Sequence, residues 1–219
     1  MLGLPESTEY GKRIPKNKFY KHLKVTPKIE RAFIDQIDTI IWQNKLSPDT
    51  INLSATDTVK EIQVIEIKLK EKRIDEQVLK FIDRELKWHI IFVLSFKGMQ
   101  QVVIGYKQES ERVSDIFKVD TYFYSEWGSQ DDNRINVTGL TLEELYNQWL
   151  LELIPLKARE DESIQQLIER YKEIKGLERK INQLALQMKS ENQFNKKVEL
   201  NQEIKEIKSS LMKLNEGKI

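Results

Sequence analysis

The chain has 219 residues, room for one or two domains, with 32% charged and 39% apolar residues and a formal net charge of +1. It has no cysteine, which excludes disulfides and thiolate metal sites and fits a reducing compartment. Eight glycines and no Gly-x-x-x-x-Gly-Lys loop exclude a Gly-rich nucleotide cradle, and no apolar run approaches the roughly 18 residues of a membrane span.

The opening MLGLPESTEY lacks the basic-then-apolar pattern of a secretory signal, so a cytoplasmic protein is expected. The missing nucleotide loop and the missing long apolar run lead to the expectation of no cofactor and no membrane partner. Residues 1–17 read as an extended arm punctuated by Gly3, Pro5, Gly11 and Pro15. The arm is basic. KRIPKNKFYKHLK interleaves Lys12, Arg13, Lys16, Lys18 and Lys21 with Phe19, Tyr20 and His22. Such cations can meet phosphates and such rings can stack on bases, so Lys12, Arg13, Lys16, Lys18, Tyr20 and Lys21 are candidate nucleic-acid contacts. A solvated strand whose rings pack on the core would look the same.

Thr26-Pro27 suits a helix start, with Thr as cap and Pro in the first turn. Ile29, Phe33, Ile37, Ile40 and Ile41 follow at helical spacing, which predicts one helix running to about Leu46. Ser47-Pro48-Asp49 then turns the chain into a short strand at 50–53 and a longer one at 61–69. A helix over 75–86 presents Val78, Leu79, Ile82 and Leu86, and WHIIFVLSFKGMQQVVIGYK reads as a hairpin about Lys97-Gly98. Strands near 116–124 and 135–137 and a helix opened by the Thr141–Glu144 capping box complete the first part.

From Ser163 the apolar residues Ile164, Leu167, Tyr171, Ile174, Leu177, Ile181, Leu184 and Met188 recur in heptads, with one three-residue slip beside Gly176. KSENQFNKK interrupts the pattern, which resumes at Leu200, Ile204, Ile207, Leu211 and Leu214. An antiparallel hairpin and a bent helix pairing with a second chain both satisfy this spacing. The fold class expected is therefore α+β: a mixed or mostly antiparallel sheet with flanking helices over 1–156, then a charged helical hairpin or coiled coil over 157–219.

One stretch, VIEIKLK, carries a chemical suggestion. As a strand it sets Glu66, Lys68 and Lys70 against Ile65, Ile67 and Leu69. A Glu-x-Lys couple on a strand is how restriction-endonuclease-like folds hold a divalent metal and stabilise developing charge. The first acid would have to be Asp57 or Asp49, and both lie in turn sequence where Asp is common for local reasons. No catalytic or metal-binding residue is assigned on this basis; Asp57, Glu66 and Lys68 stand as the nuclease alternative. His89 lies in an apolar strand and reads as a core or rim residue.

Several blocks in order, LGLPESTEYGKRIPKNKFY, QIDTIIWQNKLSPDTINL, EIQVIEIKLK, IDRELKWHIIFVL, VVIGYK and QFNKKVELNQEIKEIK, resemble the bacterial family known as domain of unknown function 4391. The resemblance implies an accessory role beside helicase and DNA methyltransferase subunits in phage-defence or restriction systems. It transfers no catalytic residue. The partners expected are those subunits, or a second copy through the tail, with nucleic acid as a further partner.

Overall fold

A computed structural model of the chain describes residues 2–20, 25–109, 117–132 and 136–215. It divides into two compact units, one ending at Leu153 and one beginning at Ile154.

The first unit is built on a six-stranded sheet in sequential order, β1 (Glu9–Ile14), β2 (Ile37–Leu46), β3 (Ile62–Leu69), β4 (His89–Phe96), β5 (Met99–Glu109) and β6 (Phe117–Tyr124). Only β3 and β4 pair in parallel; their crossover is the helix α3 (Glu76–Leu86). All other neighbours are antiparallel, so the sheet is mixed. Asp75 caps α3 by accepting from the Gln77 amide, and Lys87 ends it in the left-handed conformation.

The helix beginning at Thr26 stops after ten residues. The short turn α1 (Asn17–Tyr20) and then α2 (Pro27–Gln36) precede β2, and residues 37–46 are strand rather than helix. The misleading spacing has a physical source. Between Ile37 and Thr39 the β2–β3 register slips, with Asp38 as the extra residue, so Ile37 and Ile40 face the same side although three apart. A bulged strand thus imitates a helical stripe. The β-branched run itself favours the pleat, where Ile37 and Ile40 are wholly buried. The expected strand at 50–53 is instead a turn, tied by Thr50 Oγ1 donating to the Lys45 carbonyl. Asn136 and Val137 lie outside any strand, while Ile135 is not among the described residues.

One sheet face packs Ile40, Ile65, Ile67, Phe92, Leu94 and Val103 against Phe33 of α2 and Val78, Leu79 and Ile82 of α3. Toward β5 and β6 the helix α4 (Leu142–Leu153) supplies a second set of buried groups, Leu142, Leu145, Trp149 and Leu150. Thr141 Oγ1 accepts from the Glu144 amide at its start, and the Glu144 carboxylate accepts from the Leu140 amide. At the outer edge, β1 slips in register between Glu9 and Lys12, where Gly11 takes φ +59°.

The second unit is an antiparallel hairpin of α5 (Ile164–Ser190) and α6 (Phe194–Asn215). Ser163 and Gln166 form a reciprocal capping box at the start of α5. The apolar seam joins Leu184, Ile204 and Ile207 with Leu177, Ile181, Ala185 and Leu200. The polar break becomes the connection, where the Glu191 carboxylate accepts from the amides of Asn192 and Gln193. The far end is clamped by arginines. Arg170 meets Glu162 through two bonds of 2.7 Å and donates to the carbonyls of Leu214 and Lys157, while Arg159 donates to those of Lys213 and Leu214. These include carbonyls that the last turn of a helix leaves without intrahelical partners.

Candidate functional site

The centre of VIEIKLK lies in the middle of the sheet. Glu66 stands opposite Ile41 of β2 and beside Val93 of β4, and is only 4% exposed. A second bulge in β2, between Trp42 and Asn44, turns the Gln43 amide toward it. Gln43 Nε2 donates to Glu66 Oε2 at 2.6 Å and Ser95 Oγ donates to Oε1 at 2.8 Å. Both carboxylate oxygens are therefore engaged by neutral donors from the flanking strands.

Lys68, two residues on and on the same face, is exposed opposite Thr39. Asp57 lies in an exposed bend ahead of β3, whereas Glu66 sits about 13 Å into that strand at ~3.3 Å per residue. Among the described residues no group of three or more His, Cys, Asp or Glu is placed to hold a metal. The three residues of the nuclease alternative thus occupy three different settings: a buried acceptor, an exposed strand cation and a loop acid. Replacing Glu66 by Ala leaves the Gln43 and Ser95 donors without their acceptor. A loss of about 1–3 kcal/mol is expected, measured by urea titration against wild type.

The arm is integrated with the domain. Arg13 and Lys12 lie exposed on β1, where Lys12 Nζ donates to the Tyr10 hydroxyl and sits 4.2 Å from its ring centroid. Tyr10 in turn lies 4.2 Å from the Trp42 ring. Lys16 Nζ donates to the Ile37 carbonyl at 2.8 Å, and its pKa is lowered by burial first and by the charge of Lys70 second. Lys18 is exposed on α1. Tyr20 packs on Phe33 with centroids 5.8 Å apart, so its ring serves the core. Lys21 and His22 lie outside the described residues.

A buried polar constellation forms between α3 and the β5–β6 pair. Asp83 of α3 is paired with Lys107 of β5, with side chains 1% and 2% exposed, and accepts from the Tyr122 hydroxyl at 2.8 Å. Lys107 also donates to the Trp88 carbonyl. Burial raises the Asp83 pKa, while Lys107 and the Tyr122 hydroxyl act against that rise. The same burial holds the phenol of Tyr122 well above its ordinary range. Gly105 makes the geometry feasible: a β-carbon there would sit 3.0 Å from Tyr122 Cε1 and from Val119 Cγ1.

Nearby, His89 meets Tyr146 of α4 edge-on at 4.8 Å. The Tyr146 hydroxyl donates to the Gly105 carbonyl at 2.7 Å, next to the end of the β4–β5 ladder at Ile91–Ile104. Burial, and then the charge of Lys107, push the His89 pKa down to about 3, so its imidazole is neutral at pH 7. Asp83 between Ile82 and Arg84 looks like one more polar position on an amphipathic helix, and Lys107 like a strand-end cation. The isolated Gly105 inside an apolar strand was the available signal, since such a glycine marks a close approach.

A family model described as domain of unknown function (DUF4391) matches residues 2–211 of this chain. No curated protein and no solved structure matches it.

Proposed function

We propose a function from the premise that the chain belongs to the DUF4391 family: it is a non-enzymatic assembly subunit of a prokaryotic defence or restriction-modification-like complex, working in the cytoplasm. The helical hairpin docks a helicase or methyltransferase subunit, and the sheet unit contacts nucleic acid. The observation that carries this reading is the hairpin's division of its apolar residues. Its seam is satisfied within the chain, yet Leu186, Phe194, Val198 and Met212 remain 66%, 78%, 52% and 63% exposed. Phe194 and Val198 lie four residues apart on α6, hence on one face beside the turn. Leu186 lies near the other side of that turn, at the end of α5, and large apolar groups in water suit a protein partner.

Co-expression of the full chain with the products of neighbouring genes tests this. Partner recovery is expected at physiological salt, and the double substitution Phe194→Ser, Val198→Ser is expected to reduce it at least about tenfold, a difference of about 1.4 kcal/mol. A chain that purifies alone, or recovery unchanged by the double substitution, overturns the reading. The nuclease alternative gains no support from the separated settings of Asp57, Glu66 and Lys68.

A further inference from the structure

Two basic runs far apart in sequence, KRIPK and KLKEKR, meet at one end of the sheet. β1 and β3 both run antiparallel to β2, and β4 runs parallel to β3, so the carboxyl ends of three strands emerge together. They bring together Arg13 of β1 with Lys16 just beyond it, Lys68 of β3 with Lys70, Lys72 and Arg73 just beyond it, and Lys97, which follows β4. All of these except the half-buried Lys16 are exposed.

The array is built as well as charged. Lys16 Nζ donates to the Ile37 carbonyl and Lys70 Nζ to the Ile34 carbonyl at 2.7 Å, both at the carboxyl end of α2. The negative end of that helix offsets the cost of placing two ammonium groups together. Lys72 lies 5.3 Å from the Trp127 ring and Lys97 lies 5.2 Å from the Phe96 ring, so two further ammoniums are positioned over aromatic faces. The acids beside these cations include the exposed Asp35 near the end of α2, Asp38 of β2, whose carboxylate accepts from Thr39 Oγ1, and Glu71, which pairs with Arg73 at 3.0 Å. The loop after β6, whose Trp127 meets Lys72, also carries Glu126, Asp131 and Asp132.

We infer that this end of the sheet binds the phosphodiester backbone of duplex nucleic acid, independently of base sequence. The inference deepens the nucleic-acid half of the proposed function and moves it from the arm to the joined strand ends. From β1 to β4 the array spans three strand spacings, about 14 Å, which suits a run of phosphates better than a single anion. The nearby rings are half-buried and lie beside ammonium groups, so the protein meets the backbone rather than stacking on bases.

Fluorescence anisotropy of the full chain with a labelled duplex DNA of arbitrary sequence, from about 50 to about 200 mM salt, tests it. Binding is expected to weaken at least about tenfold in Arg13→Glu, Lys68→Glu and again in Lys72→Glu, Lys97→Glu, with the salt slope falling by about 0.9 for each phosphate no longer neutralised. Lys205→Glu, Lys208→Glu on α6 is expected to leave affinity unchanged. Absence of binding at the lowest salt overturns the inference, as does equal binding by the sheet-end variants or an equal weakening in the α6 variant. Loss of a co-purifying protein in the sheet-end variants, with DNA affinity intact, assigns the surface to that protein and overturns it too. DNA binding that survives while the Phe194→Ser, Val198→Ser variant recovers its partner unchanged removes the assembly reading alone.

Discussion

Replacing Asp83 by Ala is expected to destabilise the sheet unit by about 3–5 kcal/mol, the usual consequence of removing one partner of a buried ion pair. The variant leaves Lys107, whose side chain is 2% exposed, with the Trp88 carbonyl as its remaining hydrogen-bond partner among the described residues, and takes the acceptor from the Tyr122 hydroxyl. Urea unfolding followed by tryptophan fluorescence measures the change. The double substitution Asp83→Leu, Lys107→Met is expected to cost less than Asp83→Ala alone, because it removes both charges and returns apolar volume to the site. A single-variant loss below about 1 kcal/mol would mean that water reaches the pair and that the domain does not depend on it.

Arg170→Ala is expected to open the base of the hairpin, at a cost of about 3 kcal/mol, the lower end for a pair with both members below a tenth exposed. One guanidinium joins the Glu162 carboxylate, the Leu214 carbonyl at the end of α6 and the Lys157 carbonyl before α5. Its removal leaves the last turn of α6 to fray, which far-ultraviolet circular dichroism reads as reduced helicity. The pH dependence has a definite sign. Glu162 is held below its ordinary pKa, first by the Arg170 hydrogen bonds, so the stabilisation is complete above the ordinary Glu range and is lost as pH falls through the depressed folded value. Arg170→Ala should flatten that acid limb. A limb of unchanged steepness would place the acid sensitivity elsewhere.

The parts of this fold governed by local chemistry were legible. Asp75 before α3, Thr141 before α4 and Ser163 before α5 are side chains that accept amide hydrogens, and each marks a helix start. The Lys97-Gly98 turn and the alternation through β3 located the central strands for the same reason. What spacing concealed was β2, where extra residues at Asp38 and Gln43 broke the period of two and mimicked a helix. The hairpin could not be separated from a two-chain coil by heptads alone, since both bury the same stripe; the Arg159 and Arg170 clamp on the carbonyls of α6 belongs to one chain. For the candidate sites, Glu66 and Lys68 were visible as a pair, but burial of only the first depends on Gln43 and Ser95 of two neighbouring strands. The convergence of Arg13 with Lys68 and Lys97 depends wholly on strand order, which no local pattern encodes.

The kink in β1 at Gly11 bears on how the protein behaves when crowded. A sheet margin with regular spacing offers a template on which another chain can extend the ladder, the first step toward fibres. Here the left-handed residue and the register slip interrupt the spacing after Glu9, and Lys12 and Arg13 add like charges that an identical incoming strand would bring face to face. Gly11 therefore guards solubility as much as shape: it costs the sheet some regularity and denies a second copy a straight row of amides and carbonyls to grow on.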